Sequence, residues 1–310
     1  MLIKNAKVLT DDFKFSDVDV RIENGKIAEI GKNISGEDVI DANGQYLVPG
    51  FIDVHTHGCV GFDGCDGDID GYEKMSEFYA SKGVTSFLLT TMTLAKSQLC
   101  DILSKISKFI DSEQGLSYSH GVYLEGPFIN PVKKGAQAGE FIIKPDFKDF
   151  EEMNTAANGK IKVVVVAPEV EGIDFIKQAS KVCSVSIAHT SASYETAIEA
   201  INSGVTDITH LFNAMPPFHH REPGVIGAAF DSNVFMEMIC DGIHLHPSII
   251  RTTFKVDSDR VVLISDSMRA AGMPDGDYSL GGQAVMVHDN KALLADGTLA
   301  GSVSNINDCV

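Results

Sequence analysis

Six side chains able to bind a metal or move a proton stand in one kind of place along this chain. Each closes a short apolar run: Asp53-Val54-His55-Thr56-His57, Leu124-Glu125-Gly126-Pro127, Ala188-His189-Thr190, Thr209-His210 and Ser265-Asp266. Four of the ten histidines fall at these ends, where chance would scatter them. His55 and His57 are two apart on an extended segment, so their side chains share a face. A lone His-x-His pair is more often incidental. With His189 and His210 at equivalent ends it points to a metal site. Mixed imidazole and carboxylate donors suit Zn²⁺ or Fe²⁺ better than Ca²⁺ or Mg²⁺, without choosing between the first two.

Two carboxylates admit a plainer reading. Glu125, before Gly-Pro, could be a solvated turn residue. Following Val122-Tyr123-Leu124 it reads as buried, where a cation would compensate its charge. Asp266 could cap a helix. Beside a metal it reads as a general base, because a water on such a metal has a pKa of about 7. A nearby carboxylate can take that proton and pass it to a leaving amine.

The elements that must position these groups follow from the hydrophobic pattern. Apolar runs at 46–54, 84–89, 121–124, 161–167, 185–188, 207–210, 234–239 and 261–264 alternate with amphipathic stretches. One such stretch carries Ile102, Ile106, Phe109 and Ile110; another carries Ala197, Ile198 and Ile201 and ends at Gly204. Strands alternating with helices imply a parallel sheet, and eight strands fit an α/β fold of the (β/α)8 TIM-like barrel type. In such a barrel, functional groups gather at the C-terminal ends of the strands.

Residues 1–45 read differently. Val18, Val20 and Ile22 alternate with Asp19, Arg21 and Glu23, Asn24-Gly25 is a hairpin signal, and 27–30 returns. Turn-rich residues 276–303 are expected to complete, with this segment, a small β-sandwich domain beside a barrel at 46–275. Residues 304–310 look like the start of a final helix, so a truncated C-terminus is expected.

With 43 acidic against 25 basic residues, the formal charge is −18. That field repels nucleic acid and anionic membrane surfaces, so neither is an expected partner. No signal peptide or membrane span is read. The six scattered cysteines read as reduced thiols, consistent with a cytoplasmic protein. Cys59 and Cys65 find no second pair to complete a zinc knuckle.

At this point a family resemblance emerges. Pro49-Gly50-Phe51-Ile52-Asp53-Val54-His55-Thr56-His57 resembles the strand-one signature of the amidohydrolase superfamily. Leu124-Glu125-Gly126-Pro127-Phe128, His210-Leu211-Phe212-Asn213-Ala214-Met215, Arg221-Glu222-Pro223-Gly224 and Asp241-Gly242-Ile243-His244 are similar to motifs of its N-acetylglucosamine-6-phosphate deacetylase family. The resemblance runs the length of the chain. It implies a cytoplasmic, usually dimeric barrel enzyme that converts N-acetylglucosamine 6-phosphate to glucosamine 6-phosphate and acetate. It further implies one or two divalent ions, the first on Glu125, His189 and His210 and the second helped by His55 and His57. Asp266 matches the catalytic aspartate. The sugar phosphate would meet Ala136, Gln137, Asn213, Ala214, Arg221, His244, Leu299, Ala300 and Gly301. Gln137 stands where some members carry histidine. Strand four offers no lysine at its rim, so Glu125 is the natural replacement for the bridging carbamylated lysine of related barrels. The rival readings are an amidohydrolase for another N-acyl sugar or a cyclic amide, and a truncated homologue without turnover.

Overall fold

The computed structural model describes residues 1–112 and 115–310, which divide into two compact units, Met1–Gly50 and Phe51–Val310. The first unit is a β-sheet of β1 (Leu2–Leu9), β2 (Phe15–Glu23), β3 (Lys26–Gly31), β4 (Val39–Asp41) and β5 (Tyr46–Leu47), with β1 between β2 and β4. The hairpin expected at Asn24-Gly25 joins β2 to β3. Both turn residues have positive φ (52° and 71°), the geometry a tight two-residue hairpin demands and asparagine and glycine tolerate. Ala6, Val8 and Val20 form its small core.

The run at 46–54 is not one strand. It breaks at Pro49-Gly50 into β5, which pairs with β1, and β6 (Phe51–Thr56), which opens the second unit. Proline has no N–H to extend a ladder, so pairing stops there.

The second unit continues with a small hairpin, β7 (Gly58–Cys59) and β8 (Phe62–Asp63), and then α1 (Ile69–Ser81), β9 (Val84–Thr91), α2 (Lys96–Asp111) and β10 (Tyr118–Leu124). Next come α3 (Phe147–Ala156), β11 (Ile161–Val166), α4 (Ile173–Ala179), β12 (Ser184–Ile187) and α5 (Tyr194–Asn202). The series closes with β13 (Asp207–Ile208), α6 (Gly224–Phe230), β14 (Phe235–Ile239), α7 (Pro247–Asp257) and β15 (Val261–Ile264). The eight strands from β6 and β9 through β15 pair in chain order, all in parallel, as the expected barrel.

Their alternation sorts two sets of side chains. Phe87, Leu89, Val164 and Val166 pack into the large core that includes the helices, while Leu88 and Val165 join the smaller cluster containing Tyr123 and Ala188. The buried stripe Leu99, Ile102, Leu103, Ile106 and Phe109 has the spacing of one helical face and fixes α2 on the strands. Each such side chain contributes about 2 kcal/mol by leaving water. The Ser193 hydroxyl accepts from Thr196 N and caps α5, and Gly204 follows its end as expected.

Side chains help close the ring where β15 meets β6. Asp53 Oδ2 accepts from Ser265 Oγ at 2.5 Å and Oδ1 from Ser265 N at 3.3 Å, while Asp266 N donates to His55 O at 3.0 Å. A separate antiparallel sheet, β16 (Gly276–Leu280), β17 (Gln283–His288) and β18 (Lys291–Leu293), follows the barrel. The last residues form a 3-10 turn, Ile306–Asp308. Among the described residues, no helix is long and apolar enough to cross a membrane.

Candidate metal centre

All six chemistry-bearing residues singled out in the sequence meet at the C-terminal end of the barrel, and all six are buried. They form two trios. The ligand atoms of Glu125, His189 and His210 lie within 4.8 Å of one another, and so do those of His55, His57 and Asp266. Glu125 stands between the trios. Its Oε1 is 3.2 Å from His189 Nε2 and 3.1 Å from His210 Nε2, while Oε2 is 3.2 Å from His57 Nε2. Asp266 Oδ1 lies 3.2 Å from His57 Nε2 and 3.6 Å from His55 Nε2.

The chain bends sharply to make these placements. His189, His210 and Asp266 all have positive φ (46°, 33° and 47°), a region costly for residues with a side chain. Each stands two residues beyond its strand, where leaving the ladder turns the side chain over the barrel mouth. Asp266 precedes no helix, so it is not an N-cap. Gly126 (φ 88°) has no such latitude: a Cβ there would come within 2.0 Å of Thr93 Oγ1. Only glycine fits directly after Glu125.

The donor set fits a divalent ion. His189 Nδ1 is 2.9 Å from Lys133 O, which can only accept, so in the neutral ring Nδ1 carries the hydrogen and Nε2 is bare. That lone pair faces Glu125 Oε1 and, at 3.3 Å, His210 Nε2. Such an array repels itself unless a proton or a cation sits within it. His55 Nε2 is likewise buried without a hydrogen-bond partner.

Electrostatics agree. Burial opposes charge throughout, and the carboxylates pull against it at each imidazole; the balance raises the pKa of His57 and His189 and lowers that of His55 and His210. Burial pushes Glu125 up, but the histidines, led by His55, hold it well below the usual carboxylate range. Burial pushes Asp266 up as well, but His57 and His55 together hold it below its ordinary value.

A cavity of about 470 Å³ opens over the centre. Of the residues expected to touch substrate, Ala136, Gln137, Asn213, Ala214, His244, Leu299 and Gly301 line it. Ala300 is buried beside it, its N–H bonded to Ala292 O, and is not part of the lining. Arg221 is not part of the lining either: it is exposed, with Nη1 2.6 Å from His220 Nε2. Gln137 is engaged on both sides, accepting from Thr93 N at 2.6 Å and donating to Glu125 Oε2 at 2.8 Å. His244 Nδ1 donates to Asp241 Oδ2 at 2.8 Å.

Several participants have no part in the sequence expectations. Lys133 and Lys134 bring positive charge to the cavity lining. Below the centre lies a polar group of Tyr123, Ser186, Asp207, Thr209 and Glu237, all buried. Burial raises the pKa of Asp207, with the neighbouring Glu237 charge adding to it, and burial raises that of Glu237 as well. The one available signal was Glu237 itself, a charge amid Phe235-Met236 and Met238-Ile239.

Comparison with known proteins gives a consistent result. The model of the amidohydrolase family matches residues 46–289. An N-acetylglucosamine-6-phosphate deacetylase of Bacillus subtilis (strain 168) is 38% identical, the match covering 99% of this chain and 81% of that protein. An N-acetylgalactosamine-6-phosphate deacetylase of Escherichia coli O157:H7 is 33% identical over 100% of this chain and 82% of its own length. Among solved structures, an N-acetyl-D-glucosamine-6-phosphate deacetylase mutant from Mycobacterium smegmatis, in complex with N-acetyl-D-glucosamine-6-phosphate, superposes with a TM-score of 0.91. That match has 30% identity and covers 98% of this chain and 81% of that one.

Proposed function

The chain belongs to the amidohydrolase family, and on that premise we propose that it hydrolyses the acetamide of N-acetyl-D-glucosamine 6-phosphate to D-glucosamine 6-phosphate and acetate. The observation that carries the reading is the buried double trio, in which one aspartate faces two imidazoles across the floor of a cavity large enough for a sugar phosphate.

In this reading Glu125, His189 and His210 would hold a first Zn²⁺ or Fe²⁺, and His55 and His57 would help hold a second. A divalent ion there supplies Lewis acidity and makes water a nucleophile near neutral pH. The chain's own residues do the rest. Asp266, kept ionised by His57, takes the proton of the attacking water and returns it to the C2 amine as the C–N bond breaks, releasing acetate. Gln137, committed to Glu125 and Thr93, holds the Glu125 carboxylate in place. Asn213 and Ala214 on one side and Leu299 and Gly301 on another enclose the sugar. Lys133 and Lys134 supply positive charge for the phosphate within the cavity, which His244 also lines. Arg221 would reach that phosphate only from outside this lining, which a homodimer permits. Ala300 supports Leu299 and Gly301 from behind. The proposal further includes a cytoplasmic setting, and a division into a barrel at 46–275 flanked by β segments of one small domain.

The decisive test is acetate release from N-acetylglucosamine 6-phosphate by zinc- or iron-loaded protein, with its galactosamine epimer and unphosphorylated N-acetylglucosamine alongside. Asp266→Asn is expected to lower kcat by about 10²- to 10⁴-fold with the ion on Glu125, His189 and His210 retained. Faster turnover of the epimer would move the substrate assignment. Equal rates on the unphosphorylated sugar would remove the phosphate from it.

A further inference from the structure

Each trio holds one histidine fixed from behind and one that is not. In the first, His189 is anchored through Nδ1 by Lys133 O, whereas His210 Nδ1 is buried without a partner. In the second, His57 Nδ1 is the unpartnered atom. His55 Nδ1 faces Glu237 Oε2 at 3.3 Å.

Glu237 is held firmly for this task. It projects from β14, is 2% exposed, and accepts from Tyr123 OH at 3.2 Å. That hydroxyl is 2.7 Å from Thr209 Oγ1, which is 2.6 Å from Ser186 Oγ. The chain of hydroxyls ties the carboxylate to β10, to β12 and to the residue after β13. An apolar side chain would pack this interior at lower cost than a buried acid, so packing alone does not account for a glutamate here.

A neutral imidazole has one N–H to place. On Nδ1 it meets Glu237. On Nε2 it would have no partner within hydrogen-bond distance, since Glu125 Oε1 and Asp266 Oδ1 are each 3.6 Å away, and Nδ1 would turn a lone pair toward the carboxylate. We propose that Glu237 is a positioning residue that commits His55 to the second metal position, by accepting the Nδ1 hydrogen and leaving Nε2 bare toward Glu125 and Asp266. The inference rests on the two-ion reading above. Carboxylates behind metal-binding histidines fix the tautomer and raise ligand basicity, and their loss costs about 10- to 100-fold in metal affinity.

Two measurements test it. The ring-nitrogen NMR spectrum of metal-free protein at mildly alkaline pH, with His55 assigned through His55→Asn, should show His55 protonated on Nδ1. Glu237→Leu should abolish that state, and Glu237→Gln, whose amide oxygen still accepts, should keep it. Zinc titration followed by elemental analysis should then show the second ion weakened by about 10- to 100-fold in Glu237→Leu, the first unchanged, and Glu237→Gln near the parent. An Nε2-protonated His55 in the parent protein overturns the proposal even if Glu237→Leu does not fold. So does equal weakening of both ions, which marks general damage. If the parent takes up a single zinc, the two-ion reading falls while the ring-nitrogen spectrum still decides the role of Glu237.

Discussion

The two trios at the barrel mouth have similar donors but different supports. Glu125, His189 and His210 are braced mainly from loops on the cavity side, through Lys133 O and Gln137. His55, His57 and Asp266 straddle the meeting of the first and last strands, braced from within the barrel by Glu237 and across the junction by Asp53. The first trio therefore depends on local loop geometry, and the second on closure of the whole ring. Binding strength at the two positions should differ for reasons that lie behind the ligands, not among them.

Glu125 belongs to both halves, and its loss should erase the contrast. Glu125→Gln is expected to release metal from both positions and lower kcat/KM by more than about a thousandfold, read by elemental analysis and acetate release. Retention of either ion would show that the trios are independent.

Removing one anchored histidine from each side separates them. His189→Asn should weaken the first ion by at least about 100-fold and abolish turnover, whereas His55→Asn should remove only the second ion. Identical metal loss in the two variants, measured by zinc titration, would mean a single shared site.

The seam makes a prediction about pH. Burial raises the pKa of Asp53 to about 6 despite hydrogen bonds from Ser265. A carboxyl raised in the folded state binds its proton there first, so its stabilising contribution is complete below the unfolded value and is lost as pH rises through about 6. Relative to Asp53→Asn, the metal-free parent should gain about 2 kcal/mol between neutral pH and pH of about 4, measured by urea unfolding. A difference independent of pH would show that Asp53 is not buried as an acid at a closed seam.

Gln137 gives the smallest effect. Gln137→Ala removes two hydrogen bonds behind the first trio and should lower first-ion affinity or kcat/KM by about tenfold. A large rise in KM with metal affinity unchanged would instead make Gln137 a substrate contact.

Much of this was legible in order along the chain. Parallel strands buried on both faces read as apolar runs, and a barrel presents their C-terminal ends on one rim, so the residues closing those runs identified the site. Period-two alternation and Asn24-Gly25 likewise specified the first hairpin. These are local signals, set by backbone geometry within a few residues. Tertiary structure decided what depends on distant pairing. The run at 46–54 split because Pro49-Gly50 separates a partner in β1 from one in β9. Arg221 fell outside the cavity lining, and Lys133 and Lys134 fell within it, because loop paths are not encoded by periodicity. Glu237 sits 182 residues from the histidine it faces. The sequence determined which donors exist and on which rim they gather. Only closure of the barrel decided which nitrogen of each ring points at which oxygen, since that orientation is fixed by hydrogen-bond partners brought in from other strands.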